Sequence, residues 1–245
     1  MTSLTTSNED VKYKNERIVR IAAFFNNNSF STGTGFFVNS TGKILTCWHV
    51  LFGTDLKVFK QSEEFLQNTA GSEAEKVEAH YKSKIVKIEI QLPNGTTRQA
   101  NLVNFDHFYD LAILQVNEET DLPFFELETE TGLDFMDEVN FCGYPECTGY
   151  NSLNSPFAVN TGVVSAFPEV DIAGGKYKNI QLNSICIGGN SGAPLFKKGS
   201  LKASGIVNGY QWKGAEKIPI NISFATGFDL LKEESVIFRE LNCKP

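Results

Sequence analysis

Apolar and polar residues change over along this chain in short blocks, most of them too brief for a helix and of the right length for a strand. Ile18-Val19-Arg20-Ile21-Ala22-Ala23-Phe24-Phe25 opens a succession of β-branched and aromatic runs punctuated by Gly and Asn. The runs favour pleated backbone and the punctuation favours turns. Phe36-Phe37-Val38, a Thr41-Gly42 turn and Ile44-Leu45-Thr46 form a hairpin pattern. Val86, Ile88, Ile90 and Leu92 alternate with Lys87, Glu89 and Gln91 before Pro93-Asn94-Gly95, and a period of two predicts a strand with one buried face. Residues 111–116 predict another strand.

The second half carries strand candidates at 138–141, 157–159, 162–165, 179–183, 203–208 and 222–226, and six short strands at close spacing predict a barrel. Asp229 at a helix N-cap position, followed by Leu230, Ile237 and Leu241, predicts a terminal amphipathic helix over 229–241. The chain is thus expected to be all-β. It divides into a polar N-terminal segment (1–17), an N-terminal β-barrel (18–118) with a charged surface insertion at 52–84, an acidic, Pro-containing linker (119–134), a C-terminal β-barrel (135–228), and a C-terminal helix and tail (229–245).

Composition narrows the partners. With 22 basic against 29 acidic side chains and a net charge of −7, and no block of consecutive Lys or Arg, the chain offers no basic face for nucleic acid or anionic lipid. The richest apolar run already contains Arg20, so no membrane span of ~20 apolar residues is expected. The first ten residues lack the basic and apolar regions of a signal peptide. Five cysteines, Cys47, Cys142, Cys147, Cys186 and Cys243, are an odd number that argues against a disulfide framework. The expected location is the cytoplasm, with free thiols.

Three local patterns carry candidate chemistry. Ile44-Leu45-Thr46-Cys47-Trp48-His49-Val50 puts a histidine at the end of a predicted buried strand, where an imidazole can act as general base. In Tyr109-Asp110-Leu111-Ala112-Ile113-Leu114 a single Asp opens an apolar strand, and a carboxylate entering a core needs a hydrogen-bonding partner. Gly188-Gly189-Asn190-Ser191-Gly192-Ala193-Pro194 is a tight Gly-rich turn exposing one hydroxyl beside backbone N–H groups that can form an oxyanion hole. Taken singly, each also reads as a structural histidine, a turn aspartate or a common loop. His80 and His107 could join Cys47, Cys142 or Cys147 around a metal, but Cys142 and Cys147 are five apart and no two-residue Cys spacing exists, so zinc is not indicated, and Cys186 reads as packing. No phosphate-binding loop or dinucleotide fingerprint is present.

In the chain order His, Asp, Ser, these segments resemble the trypsin-like (chymotrypsin-fold) serine peptidases, most closely the HtrA/Deg-type protease domain. The resemblance covers about residues 18 to 232 and includes Gly33-Thr34-Gly35-Phe36, Thr46 to Val50, Gly143-Tyr144-Pro145 and Thr161-Gly162-Val163-Val164-Ser165. It implies two six-stranded antiparallel β-barrels with the active cleft between them and a helix outside. It also implies His49 as general base, Asp110 as its orienter, Ser191 as nucleophile, and the Gly189 and Ser191 amides as oxyanion donors. Ala193 stands where Gly is more usual, Trp48 adds bulk beside His49, and Asn190 replaces the Asp that binds a freed amino terminus in activated trypsins. No following PDZ domain is expected.

By the same resemblance Ile185, Asn208, Gly209, Tyr210 and Ile222 form the substrate pocket, whose apolar lining predicts cleavage after Val, Ala, Leu or Met. The expected function is a serine endopeptidase acting on protein or peptide through an acyl-enzyme. It needs neither cofactor nor metal, and has narrow specificity or an activating protein partner. The rival expectation is a catalytically silent protein-binding module on the same fold.

Overall fold

A computed structural model of the chain describes residues 8–52, 84–116, 121–146, 154–172, 175–213, 218–231 and 235–242. Most of the predicted insertion at 52–84 lies outside the described residues, as do His80, Cys147 and Cys243. Strands β1 (Ile18–Phe25), β2 (Phe30–Phe37), β3 (Lys43–Thr46), β4 (Ile85–Gln91), β5 (Thr97–Asp106) and β6 (Leu111–Val116) close into an antiparallel barrel in the order β1-β2-β3-β6-β5-β4. Strands β7 (Glu138–Gly143), β8 (Ala158–Ala166), β11 (Ile180–Leu182), β12 (Pro194–Lys197), β13 (Gly205–Lys213) and β14 (Ile218–Gly227) close a second, in the order β11-β14-β13-β12-β7-β8. Between β8 and β11 stands a separate hairpin of β9 (Glu169–Ile172) and β10 (Gly175–Lys178). Closure gives every strand of each barrel a neighbour on both sides along at least part of its length, which is how an antiparallel sheet this size buries one face.

The two six-stranded antiparallel barrels are those expected, and several details differ. Segments 157–159 and 162–165 are one continuous strand, β8. The predicted terminal helix is two helices, α3 (Phe228–Leu231) and α4 (Val236–Asn242). Ser235 stands before the second, where its hydroxyl accepts a bond from Ile237 N and donates to Asp106 Oδ2 at 2.7 Å, as an N-cap residue does. The described part of the polar N-terminal segment, from Asn8, also folds. Helix α1 (Asn8–Asn15) sends Lys14 against the second barrel, with Nζ donating to Asn140 Oδ1 at 2.8 Å and lying 4.4 Å from the centroid of the Phe196 ring.

The core runs through the seam. Phe125, inside the predicted linker, is fully buried and stacks edge-on with Phe36 of the first barrel (6.0 Å) and Phe196 of the second (4.9 Å). Its N–H donates to Phe37 O at 3.0 Å. A third tie is Arg20 on β1, whose guanidinium donates to Gln91 Oε1 and to Ser155 O and lies 4.7 Å from the Tyr144 ring centroid. The apolar cluster of the first barrel therefore extends across the seam to Phe196, Ile206 and Phe228, while the interior of the second barrel around Phe141, Leu195 and Val207 is a cluster of its own. No helix among the described residues is long and apolar enough to cross a membrane.

Candidate active site

The strand order explains why His49 and Asp110 meet. Strands β3 and β6 are neighbours, with Thr46 opposite Ala112, so the residues just beyond the end of β3 lie beside those just before β6. His49 is not at a strand end as predicted but in the first turn of a short helix, α2 (Trp48–Phe52). Three bonds converge on one residue there. Trp48 N donates to Asp110 O at 3.1 Å, His49 N donates to Asp110 Oδ1 at 2.9 Å, and His49 Nδ1 lies 2.6 Å from Asp110 Oδ2. Asp110 holds a left-handed backbone, φ 57°, a conformation Asp tolerates better than most residues. Both side chains are about one-fifth exposed. Burial pushes the His49 pKa down, yet the charge of Asp110 and the hydrogen bond to it together prevail and hold it above its ordinary value. With Nδ1–H donated to the carboxylate, Nε2 keeps its lone pair for a proton.

Ser191 comes from the other barrel, on the turn before β12. Gly189 (φ 85°) and Gly192 (φ 87°) lie on either side of it, and both positions exclude any other residue. A Cβ at Gly189 would lie 2.2 Å from Tyr144 O, and one at Gly192 1.9 Å from Thr34 O. Thr34, on β2, anchors this turn to the first barrel. Its N–H donates to Ser191 O at 2.8 Å, its hydroxyl donates to Gly189 O at 2.7 Å and accepts from Tyr144 N at 3.0 Å, and its carbonyl accepts from Thr46 Oγ1 at 2.7 Å. The chain of contacts Ser191, Thr34, Thr46 thus ends three residues before His49. At Gly33, next to Thr34, a Cβ would lie 2.5 Å from a methyl of Val50 and 3.0 Å from Ser191 O. The His49 helix and the Ser191 turn therefore both close on the space that a side chain at Gly33 would fill.

Carbonyl and amide bonds in the turn are shared out unevenly. Asn190 N donates to Ile187 O, Gly192 N to Val207 O and Ala193 N to Asn190 O. Among the described residues the amides of Gly189 and Ser191 donate to no protein acceptor. The Gly188 carbonyl accepts from Glu146 N at 2.7 Å. Because N–H and C=O of one peptide point opposite ways, this fixes the direction of the Gly189 N–H as well.

The remaining expected site residues are less tightly gathered. Ile185 is 59% exposed. Asn208 donates its side-chain amide to Thr226 Oγ1 at 2.7 Å, and Gly209 and Tyr210 pair with Phe224 and Ser223 on β14. Ile222 is half-buried, whereas the neighbouring Ser223 is fully buried with its hydroxyl 3.3 Å from Ser184 O. Burial raises the Tyr210 pKa, aided by Cys186 and Glu146. Trp48 points into the first core, stacked on Phe52 at 5.3 Å, and Asn190 and Ala193 are buried. Sequence reading missed Thr34 and Glu146, whose roles depend on partners more than a hundred residues away.

Sγ of Cys47 lies within 4.8 Å of the polar atoms of His49 and Asp110. A 2.6 Å contact between ring and carboxylate leaves no room for a cation between them. The thiol is fully buried, donates to Val207 O at 3.3 Å, and burial, then the charge of Asp110, lifts its pKa well above the ordinary value. The cluster backs the His49–Asp110 pair as packing.

Comparison with known proteins agrees with this architecture. Residues 33–206 match the family model described as a trypsin-like peptidase domain. The chain is 26% identical over 222 residues to the protein named serine protease HTR4 from Rattus norvegicus, covering 87% of this chain and 35% of that protein. It is 26% identical over 171 residues to a probable periplasmic serine endoprotease DegP-like from Rickettsia conorii, covering 69% of this chain and 26% of that one. It therefore spans about a third or less of these relatives' length. In fold, it is similar to the active form of the Rv3671c protease from M. tuberculosis, with a TM-score of 0.65 at 18% identity, covering 91% of this chain and 81% of that chain.

Proposed function

The chain belongs to the trypsin-like peptidase family, and on that premise we propose that it is a serine endopeptidase. The observation that carries the proposal is the double hold of Asp110 on His49, through Oδ1 to the backbone and Oδ2 to Nδ1, beside the stitched turn of Ser191. His49 Nε2 takes the Ser191 proton as the hydroxyl oxygen attacks the scissile carbonyl. The oxyanion that forms is met by the Gly189 and Ser191 N–H groups, donors of a kind worth ~10²–10³ in rate apiece. His49 then gives its proton to the leaving amine, and water resolves the acyl-enzyme by the same steps in reverse.

The substrate reading rests on β13. Among the described residues β12 pairs with β13 only at Ile206 and Gly205, whereas β14 continues beside β13 at Gly209 and Tyr210, with a bulge at Asn208. That supports a peptide added as a strand along 208–210, with an apolar side chain such as Val, Ala, Leu or Met directed at Ile185, Tyr210 and the Ile222 region. Unpaired thiols at Cys47, Cys142 and Cys186 support a reducing, cytoplasmic setting. A peptidase there needs narrow specificity or a protein partner that activates it.

Labelling with a fluorophosphonate probe tests the function without knowledge of the substrate. Labelling that vanishes in Ser191→Ala is expected. Its absence from wild type, with or without added cell lysate, would favour the silent binding module.

A further inference from the structure

Ser191 is held from two flanks. On one, Gly192 N donates to Val207 O at 2.8 Å and β13 continues into Asn208 to Tyr210. On the other, Thr34 of β2 donates to Ser191 O at 2.8 Å. If the acyl half of the substrate lies along β13, the half that leaves as the new amino terminus lies along the β2 flank. A carboxylate stands on that flank. Thr32, two residues before Thr34 on the same strand, donates its hydroxyl to Glu146 Oε1 at 2.7 Å. Glu146 Oε2 is placed so that a Cβ at Gly188 would meet it at 2.6 Å. The side chain thus reaches from the rim of the first barrel to the turn that presents the Gly189 amide.

Glu146 is held for recognition and has nothing of its own to recognise. Its backbone is tied to Gly188 O and one carboxylate oxygen to Thr32, so little side-chain freedom remains to be lost on binding. It is exposed, and among the described residues it forms no ion pair with Lys, Arg or His. Glycine at 188 leaves the space beside Oε2 without a competing side chain. From these contacts we infer that Glu146 is a specificity-determining residue that selects a basic side chain, Lys or Arg, in the first two positions after the cleaved bond. An Arg there can pair with the free carboxylate oxygen, whereas an acidic residue meets like charge. The inference rests on the peptidase reading above.

The test uses binding, so that it does not depend on turnover. Fluorescent peptides carrying Val at the cleaved position, followed by either Arg-Arg or Glu-Glu, are titrated at low salt into the Ser191→Ala protein and read by anisotropy. The Arg peptide is expected to bind about fivefold more tightly. Glu146→Gln keeps the acceptor for Thr32 and the backbone bond to Gly188, and so isolates the charge. It is expected to bring the two peptides close to equality, and Glu146→Lys to reverse their order. Equal binding of the two peptides to Ser191→Ala, or an Arg preference that persists in Glu146→Gln and Glu146→Lys, overturns the inference. Fluorophosphonate labelling of the wild type judges the peptidase reading separately, because it reports the serine and not the flank.

Discussion

The backbone N–H of Thr34 donates to the carbonyl of Ser191 at 2.8 Å, and that bond crosses from the first barrel to the second. The hydroxyl of the same fully buried threonine makes two further bonds on the far side of the seam, to Gly189 O and from Tyr144 N. One β2 residue therefore ties down the turn that carries the Ser191 hydroxyl and the amides of both Gly189 and Ser191.

Thr34→Val preserves shape and removes that hydroxyl, leaving the Gly189 carbonyl and the Tyr144 amide buried without their partner. Leaving such groups unsatisfied costs about 1–3 kcal/mol each. For a chain of this size 1 kcal/mol lowers the melting temperature by roughly 2–4 °C. Calorimetry should show a fall of several degrees, with fluorophosphonate labelling slowed more than the stability loss explains. Thr34→Ser should recover most of both, and equal labelling by Thr34→Val and wild type would show that the hydroxyl does not position the turn.

The pH profile of labelling should report His49. Only neutral imidazole accepts the serine proton, so labelling should rise with pH through a midpoint above the ordinary histidine value of 6.5, because Asp110 outweighs burial. In Asp110→Asn the burial contribution remains and the charge is gone. The midpoint should move down, while the rate falls by ~10⁴. The sign for stability is the opposite of that for labelling. A raised folded pKa contributes stability that is fully present below the unfolded value of about 6.5 and is lost as pH rises through the folded value. The stability margin of wild type over Asp110→Asn should therefore shrink across that window. Identical midpoints in the two proteins would contradict the assignment.

Cys47, Cys142 and Cys186 are buried, and burial is the main cause that pushes Cys142 and Cys186 up to about 12 and Cys47 well above its ordinary value. At pH 8 the thiolate fraction of such a group is about 10³-fold or more below that of a free cysteine. Alkylation in the native state, read by mass spectrometry of digested protein, should leave these three unmodified until denaturant is added. Reductant should leave the melting temperature unchanged, and a fall of several degrees would reveal a disulfide.

The sequence by itself carried the features that are local in origin. The alternation at Val86 to Leu92 marks a half-buried strand at Ile88 and Ile90, because side chains on pleated backbone change face at every residue, although Val86 at its start is 68% exposed. The glycines at 189 and 192 mark a strained turn because no side chain fits there. The order His49, Asp110, Ser191 was legible as a motif. Tertiary structure decided what depends on pairing. Strand β5 shows little apolar period, with only Ala100 buried, and exists because β4 and β6 supply its ladders. Strand β12, only four residues long, is likewise defined by its neighbours β7 and β13. Phe125 looks like part of an acidic linker until Phe36 and Phe196 close around it. The 2.6 Å contact of His49 with Asp110 follows from the β3–β6 register, the place of Glu146 beside Gly188 follows from the pairing of β7 with β12 inside the second barrel, and its bond to Thr32 follows from the packing of one barrel on the other. Residue type and spacing encode which backbone each segment prefers, but contacts between distant segments arise only once register and barrel closure have selected which strands are neighbours.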